Sequence, residues 1–224
     1  MPRRHICIAI PAYTSTIYTS TARAIMADLM RFAQRGDTVQ LEEVTGCAII
    51  ADARNHMVAK FLESPATHMV FVDWDVTWEH GGMVRLVDHG VDLVAGIYPK
   101  RSDPIKFDLR TLKEGKEHLS VDKKTGLIEV LGAATGFMCM SRHMLQKMTD
   151  HYREALTYRC PKSPGGKAVG LFDTYRTKDG DKLGEDYSFC QRWVDMGGQV
   201  WLDPSIQMGH IGTKLFAGEF GRWV

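Results

Sequence analysis

Two short, largely apolar runs, Ile6-Cys-Ile-Ala-Ile10 and His68-Met-Val-Phe-Val72, constrain the fold of this chain more than any other feature. Neither alternates polar with apolar residues, so each reads as a strand covered on both faces. Between them, Thr21 to Arg35 carries Ala22, Ile25, Met26, Leu29 and Phe32 at helical spacing, with Gly36 as a stop. Val39 to Val44 is a short strand. A helix is predicted from Asp52, its expected cap, to Leu62, with Pro65 beyond its end. A helix over Gly82–Asp88 and a strand over Asp92–Gly96 complete a βαβαβαβ series, which calls for a mostly parallel sheet flanked by helices.

The second half has a different texture. Residues 100–124 are polar and mixed in charge around Pro104, and read as a surface excursion. Strands are predicted over Gly126–Leu131 and Thr135–Met140, around the turn Gly132-Ala-Ala-Thr-Gly136. Arg142–Tyr152 has helical character. Cys160–Gly184 is rich in Gly, Pro and Lys, and a mobile loop is expected. A helix from Glu185 to Met196 and a strand over Gln199–Leu202 precede a tail holding Met208-Gly-His210-Ile-Gly212.

Composition bounds the function. The 224 residues include 28 Lys+Arg against 27 Asp+Glu, a net charge of +1, which argues against a surface that grips polyanions everywhere. Five scattered cysteines with no C-x-x-C pair fit neither a cysteine zinc site nor a disulfide framework, and a reducing cytoplasm is expected. The first apolar run is stopped by Pro11, too short for a secretory core, and no later run approaches the ~18 residues a membrane helix needs.

Asp73 and Asp75 follow directly on the second apolar run. In an extended backbone both side chains would share one face, ~6–7 Å apart, with Trp74 pointing away. Two hard oxygen donors at the carboxyl end of a sheet strand suit Mg2+ or Mn2+ carrying a phosphate-bearing ligand. Phe71-Val-Asp-Trp-Asp-Val-Thr77 also resembles the nucleophile loop of haloacid-dehalogenase-type phosphatases, in which Asp73 would be phosphorylated and Asp75 would act as acid/base. That family places the loop on its first strand, whereas two strand–helix units precede it here. No G-x-x-x-x-G-K-[ST] loop exists, and Pro11-Ala-Tyr13 replaces the G-x-G-x-x-G of a dinucleotide fold.

Taken in order, the first strand with Pro11-Ala-Tyr13, Ala53-Arg-Asn55, Phe71-Val-Asp-Trp-Asp75, Ala95-Gly-Ile-Tyr-Pro99, Ala134-Thr-Gly-Phe-Met138, Gly184-Glu-Asp-Tyr-Ser-Phe189 with Gly197-Gly198, and His210-Ile-Gly212 span nearly the whole chain. The ordered set resembles the GT-A fold glycosyltransferases, particularly small family-2-like bacterial and phage members. The resemblance implies an α/β, Rossmann-like, mostly parallel sheet flanked by helices, with a smaller mixed or antiparallel acceptor-side part. It implies one domain over residues 1–224, with 1–99 the nucleotide-sugar half and 100–224 the acceptor half and metal-ligand tail.

The resemblance also implies roles. Asp75 would ligate a divalent cation directly, Asp73 would reach it through water or bind the ribose, and His210 would be the third ligand, shifting preference from Mg2+ toward Mn2+. Pro11, Ala12 and Tyr13 would cradle the base of a nucleotide-sugar donor, UDP-linked for preference, and Arg54 and Asn55 would touch base and ribose. Trp74, Gly136 and Lys214 complete the donor side, Lys214 closing onto the diphosphate. Asp186 of the E-D pair would be the general base of an inverting transfer, with Glu185 binding sugar or acceptor hydroxyls; retaining members share the D-x-D and the late His. In the first turn of a helix, such carboxylates are expected to stay ionised.

The acceptor, whether saccharide, protein or a phage-type modified DNA base, would meet residues 100–124 and 160–184. Lys100, Arg101, Lys106, Arg110, Arg159, Lys162 and Lys167 form a candidate basic face there, interrupted by Asp103, Asp108, Glu114 and Glu117. Trp78 and Trp201 are candidate sugar-stacking platforms. A nucleotide-sugar-binding module without chemistry is the non-enzymatic alternative.

Overall fold

The computed structural model describes residues 3–112, 119 and 121–222. In chain order the elements are β1 (His5–Ala12), α1 (Thr19–Gln34), β2 (Thr38–Thr45), α2 (Ile50–Glu63), β3 (His68–Val72), β4 (Val76–Trp78), α3 (Gly82–Asp88) and β5 (Leu93–Gly96). There follow β6 (Ile128–Val130), β7 (Phe137–Ser141), α4 (Arg142–Leu156), β8 (Thr157–Arg159), β9 (Lys167–Val169), β10 (Tyr175–Arg176) and β11 (Lys182–Leu183). The chain ends on α5 (Glu185–Asp195), β12 (Val200–Asp203), β13 (Met208–Ile211) and β14 (Leu215–Gly218).

Seven strands make the central sheet, in the order β2-β1-β3-β7-β5-β12-β6. β2, β1 and β3 are mutually parallel, as are β5 and β12; β7 runs antiparallel between β3 and β5, and β6 is antiparallel at the edge. The β-α alternation accounts for the parallel strands. The reversed β7, by its register of Val72 against Phe137, sets the turn before β7 beside the segment after β3.

Both faces of the sheet are covered, which is why its inner strands carry no polar alternation. Cys7 and Ala9 of β1 face a layer with Met57, Phe61, Leu145 and Phe189, while Ile6 and Ile8 face another with Phe32, Leu86 and Phe137. Two helix starts are satisfied by side chains, one local and one distant. Ser141 caps α4 through the Met144 N–H at 3.0 Å. Asp28, fully buried in α1, accepts from the N–H groups of Gly81 and Met83 at the start of α3 and from Trp78 Nε1. Asp52 is not the cap of α2: Ile49 holds that position, and Asp52 lies in the first turn, where its charge complements the helix dipole.

A second, three-stranded sheet, β14-β13-β4, pairs the tail with the strand that follows Asp75. None of its strands was expected. Cys160–Gly184 also departs from expectation, since it is folded rather than loose. β8 pairs β9, β10 pairs β11, and Leu171 and Phe172 between them are fully buried. Trp78 is likewise core rather than a sugar platform, its N–H spent on Asp28. Trp201 is half-buried against the second apolar layer. Glu114 and Glu117 lie outside the described residues. Among the described residues, no helix is long and apolar enough to cross a membrane, and all five cysteines are free thiols.

Candidate active site at the carboxyl end of the sheet

Arg54 stands at the centre of the acidic cluster. It sits in the second turn of α2, facing the sheet, and its side chain is only 3% exposed. Nη1 donates to Glu185 Oε1 at 2.8 Å and Asp186 Oδ1 at 2.7 Å, and Nη2 donates to Asp73 Oδ1 at 3.1 Å. Its guanidinium lies 5.8 Å and 5.9 Å from the ring centres of Phe71 and Phe172. Burial disfavours its charge, but Asp186, Asp73 and Glu185 outweigh that and hold its pKa above the ordinary value. One cation thus gathers three carboxylates from two distant segments. Its placement joins the acids to each other, where a base or ribose contact was expected.

The acids respond in kind. Burial pushes the Asp73 carboxyl up, with Arg54 pulling it back. Burial and then Asp186 push Glu185 up, against Arg54. Desolvation thus works against the first-turn position, which favours the ionised acid, and the net push on Glu185 is upward. Asp186 accepts a second hydrogen bond, also on Oδ1, from the buried hydroxyl of Thr135. Thr135 belongs to the turn before β7, a partner that sequence reasoning missed although the turn itself had been singled out.

After β3 the chain turns instead of extending. Val76 N–H bonds back to the Asp73 carbonyl at 3.2 Å, so the two aspartates do not share an extended face. Asp73 goes to Arg54, and Trp74 stacks on Tyr18 with ring centres 5.3 Å apart. The Asp73 N–H is fixed by the Gly136 carbonyl at 2.9 Å. A Cβ at Gly136 would lie 2.5 Å from both Asp73 Oδ2 and Tyr98 Oη, so only glycine fits where β7 crosses.

Asp75 points the other way, toward β13. Register places His210 beside Val76, and Ile211 N–H donates to the Asp75 carbonyl at 2.8 Å. His210 Nδ1 lies 3.0 Å from the Pro99 carbonyl, which can only accept, so Nδ1 carries a proton, and in the neutral ring Nε2 keeps its lone pair. That Nε2 is 3.8 Å from Asp75 Oδ1. Burial, then Arg101, lowers the pKa of His210 against the Pro99 bond, favouring the neutral ring. Arg101 itself donates to Asp75 Oδ2. It had been assigned to the acceptor border, and nothing in its local sequence marks it as a partner of Asp75.

The remaining expected donor residues divide. Pro11 and Ala12 end β1 and are buried, while Tyr13 stands 60% exposed at the same carboxyl edge. Asn55 is turned inward: its amide donates to Asp173 Oδ1 and accepts from Phe172 N–H, and it lines a cavity of about 520 Å3 with Leu62, Thr149 and Arg153 that none of the four acids reaches. Lys214 pairs with Asp103 at 3.1 Å and lies over Phe216. The basic residues are split, Arg159 opposing Lys167 in the β8–β9 hairpin while Lys100 pairs with Asp108 and Arg110 with Gln191. Asp75 and His210 come together and Asp73 faces away; among the described residues no three His, Cys, Asp or Glu side chains form a ready metal cage.

No protein-family model and no curated protein matches the sequence. Solved structures do. The chain is similar to the crystal structure of A197 from STIV, with a TM-score of 0.56 and 16% identity over 97% of this chain and 91% of that one. It is similar as well to GalNAc-T7 with UDP, GalNAc and Mn2+, with a TM-score of 0.54 and 10% identity over 95% of this chain. It spans 45% of the GalNAc-T7 chain. The architecture is thus the α/β fold of GT-A type, a mostly parallel seven-stranded sheet flanked by helices with small antiparallel sheets beside it.

Proposed function

We propose that this protein is a glycosyltransferase that moves a sugar from a nucleotide diphosphate donor, a UDP-sugar, to an acceptor hydroxyl. The observation that carries the reading is the meeting of three separate motifs at one end of the sheet. The D-x-D turn after β3, the E-D pair opening α5 and the H-x-G of β13 all converge there. Support comes from the fold shared with GalNAc-T7, a structure that holds UDP, GalNAc and Mn2+. The phosphatase reading is not favoured, because Asp73, its nucleophile, is turned onto Arg54.

Asp186 is the general base in this reading. Arg54 and Thr135 both bond Oδ1, leaving Oδ2 to accept the proton of the acceptor hydroxyl. As that proton leaves, the acceptor oxygen bonds to C1 of the sugar, and the bond from C1 to the diphosphate breaks. Arg54 holds Asp186 and Glu185 in place, and Glu185 Oε2 is the oxygen directed to sugar hydroxyls. Tyr13 and the Trp74–Tyr18 stack flank the base and donor at the carboxyl edge of β1 and β3.

The donor set of Asp75 and His210, one carboxylate and one neutral imidazole with its lone pair free, fits a divalent cation, Mn2+ in preference to Mg2+. Asp73, held by Arg54 and facing away, would stay outside that donor set. Such an ion, when bound, offsets the charge of the diphosphate. Asp186→Asn should keep UDP binding, read by thermal shift with Mn2+, and lose sugar transfer by at least about 100-fold, the usual scale of a general base. Turnover at the wild-type rate would remove Asp186 from the chemistry. Stabilisation by a phosphate mimic with no nucleotide preference would remove the donor assignment.

A further inference from the structure

We infer that Arg101 is an exchangeable counter-cation: a divalent ion entering between Asp75 and His210 displaces it, and the freed guanidinium then meets the anionic donor. The first half concerns only Asp75, His210 and Arg101; the second rests on the nucleotide-donor reading.

The two oxygens of Asp75 are divided between two kinds of partner. Oδ1 faces the free lone pair of His210 Nε2 at 3.8 Å, and Oδ2 holds Arg101. Asp75 is 8% exposed, so a cation beside it is favoured over hydration alone; Arg101 is 41% exposed and can be solvated when it leaves. An ion seated on Oδ1 and Nε2 would stand beside the guanidinium on the same carboxylate, and like charges that close repel. One of the two cations must yield, and only Arg101 has somewhere to go.

The segment that carries Arg101 is anchored by Phe107 in the core and by the Lys100 N–H on the Lys106 carbonyl at 2.7 Å, so the side chain and not the backbone makes the exchange. The charged ties around it, Lys100–Asp108 and Lys214–Asp103, are exposed and therefore weak. The motif glycine contributes too. A Cβ on Gly212 would lie 3.0 Å from Arg101 Cδ, so the glycine of H-x-G keeps clear the lane in which the arginine lies. The same motif thus presents the imidazole to Asp75 and admits the competing cation.

The test titrates MnCl2 alone into the wild type, Arg101→Ala, Arg101→Lys and Gly212→Ala, reading free Mn2+ by electron paramagnetic resonance. UDP is then titrated at saturating Mn2+. Arg101→Ala should bind Mn2+ about fivefold tighter, the size of a partly exposed ion pair, and UDP about fivefold weaker. Gly212→Ala should follow it in the Mn2+ arm, and Arg101→Lys should fall between. Mn2+ affinity that is unchanged or weaker in Arg101→Ala overturns the exchange, even if UDP still binds the wild type and the donor reading stands. Tighter Mn2+ with no UDP uptake by either protein supports the displacement and overturns both the second half and the donor reading.

Discussion

Asp73 and Asp75 are two residues apart, and each holds an arginine, yet the two pairs belong to different kinds of structure. Arg54 rises from a packed helix, is almost wholly buried over two phenyl rings, and answers three carboxylates. Arg101 hangs from an irregular segment, is 41% exposed, and answers one. Breaking the first leaves three carboxylates, each only 24–29% exposed, crowded together without a cation; breaking the second lets water or another cation take over. One turn of chain thereby joins a buried frame, which orients the E-D pair, to a more exposed end, where the proposed cation exchange would take place.

The comparison breaks most directly at Arg54. Arg54→Met should cost ~3–5 kcal/mol in urea unfolding at pH 7, because Asp73, Glu185 and Asp186 would then face one another without a cation. A loss under about 1 kcal/mol would make this pair as replaceable as the other. Gly136→Ala comes next, at ~1–3 kcal/mol, since the new methyl collides with Asp73 and Tyr98. An unchanged melting temperature would mean that Asp73 is free to turn away, as Asp75 does.

The His89–Asp203 pair, 2.8 Å apart with the carboxylate buried, supplies a midpoint. Burial raises the Asp203 pKa, but His89 and Ser205 outweigh it and hold it below the ordinary 3.8. A depressed acid stabilises the fold above its unfolded pKa, and that contribution is lost as pH falls through the folded one. Asp203→Asn should therefore cost ~1–2 kcal/mol at pH 7 and progressively less below pH 3.8. A gap that stays constant through that range would assign the cost to packing. Smallest of all, Arg101→Ala should cost about 1 kcal/mol in metal-free protein, the stability counterpart of its fivefold gain in Mn2+ affinity, and less in about 1 M salt. A loss above about 2 kcal/mol would put Arg101 inside the frame.

What could be read from sequence follows the same division between local and distant causes. β1, β3 and α5 are legible because their own residues carry the pattern: unbroken apolar runs, or Phe189 and Trp193 one helical turn apart. The reversal of β7 is not, since an apolar strand reads the same in either direction. Leu171 and Phe172 were lost among the glycines and prolines of 160–184, whose composition masked two core residues. At the site, the motifs identified Asp73, Asp75, Asp186 and His210 as residue types, but their partners depended on the fold. Arg54 meets acids 131 and 132 residues away, and Arg101 reaches Asp75 only because the chain after β5 returns across the D-x-D turn.

That separation has a consequence for how the chain is made. At ~5–20 residues per second, roughly 7–26 s pass between synthesis of Arg54 and of its partners on α5. Until α5 docks, packing α2 fully onto β3 would enclose a guanidinium with Asp73 as its sole acid. Nη1 of Arg54 has no acid until α5 is made, so full pairing of this buried guanidinium waits on the docking of α5.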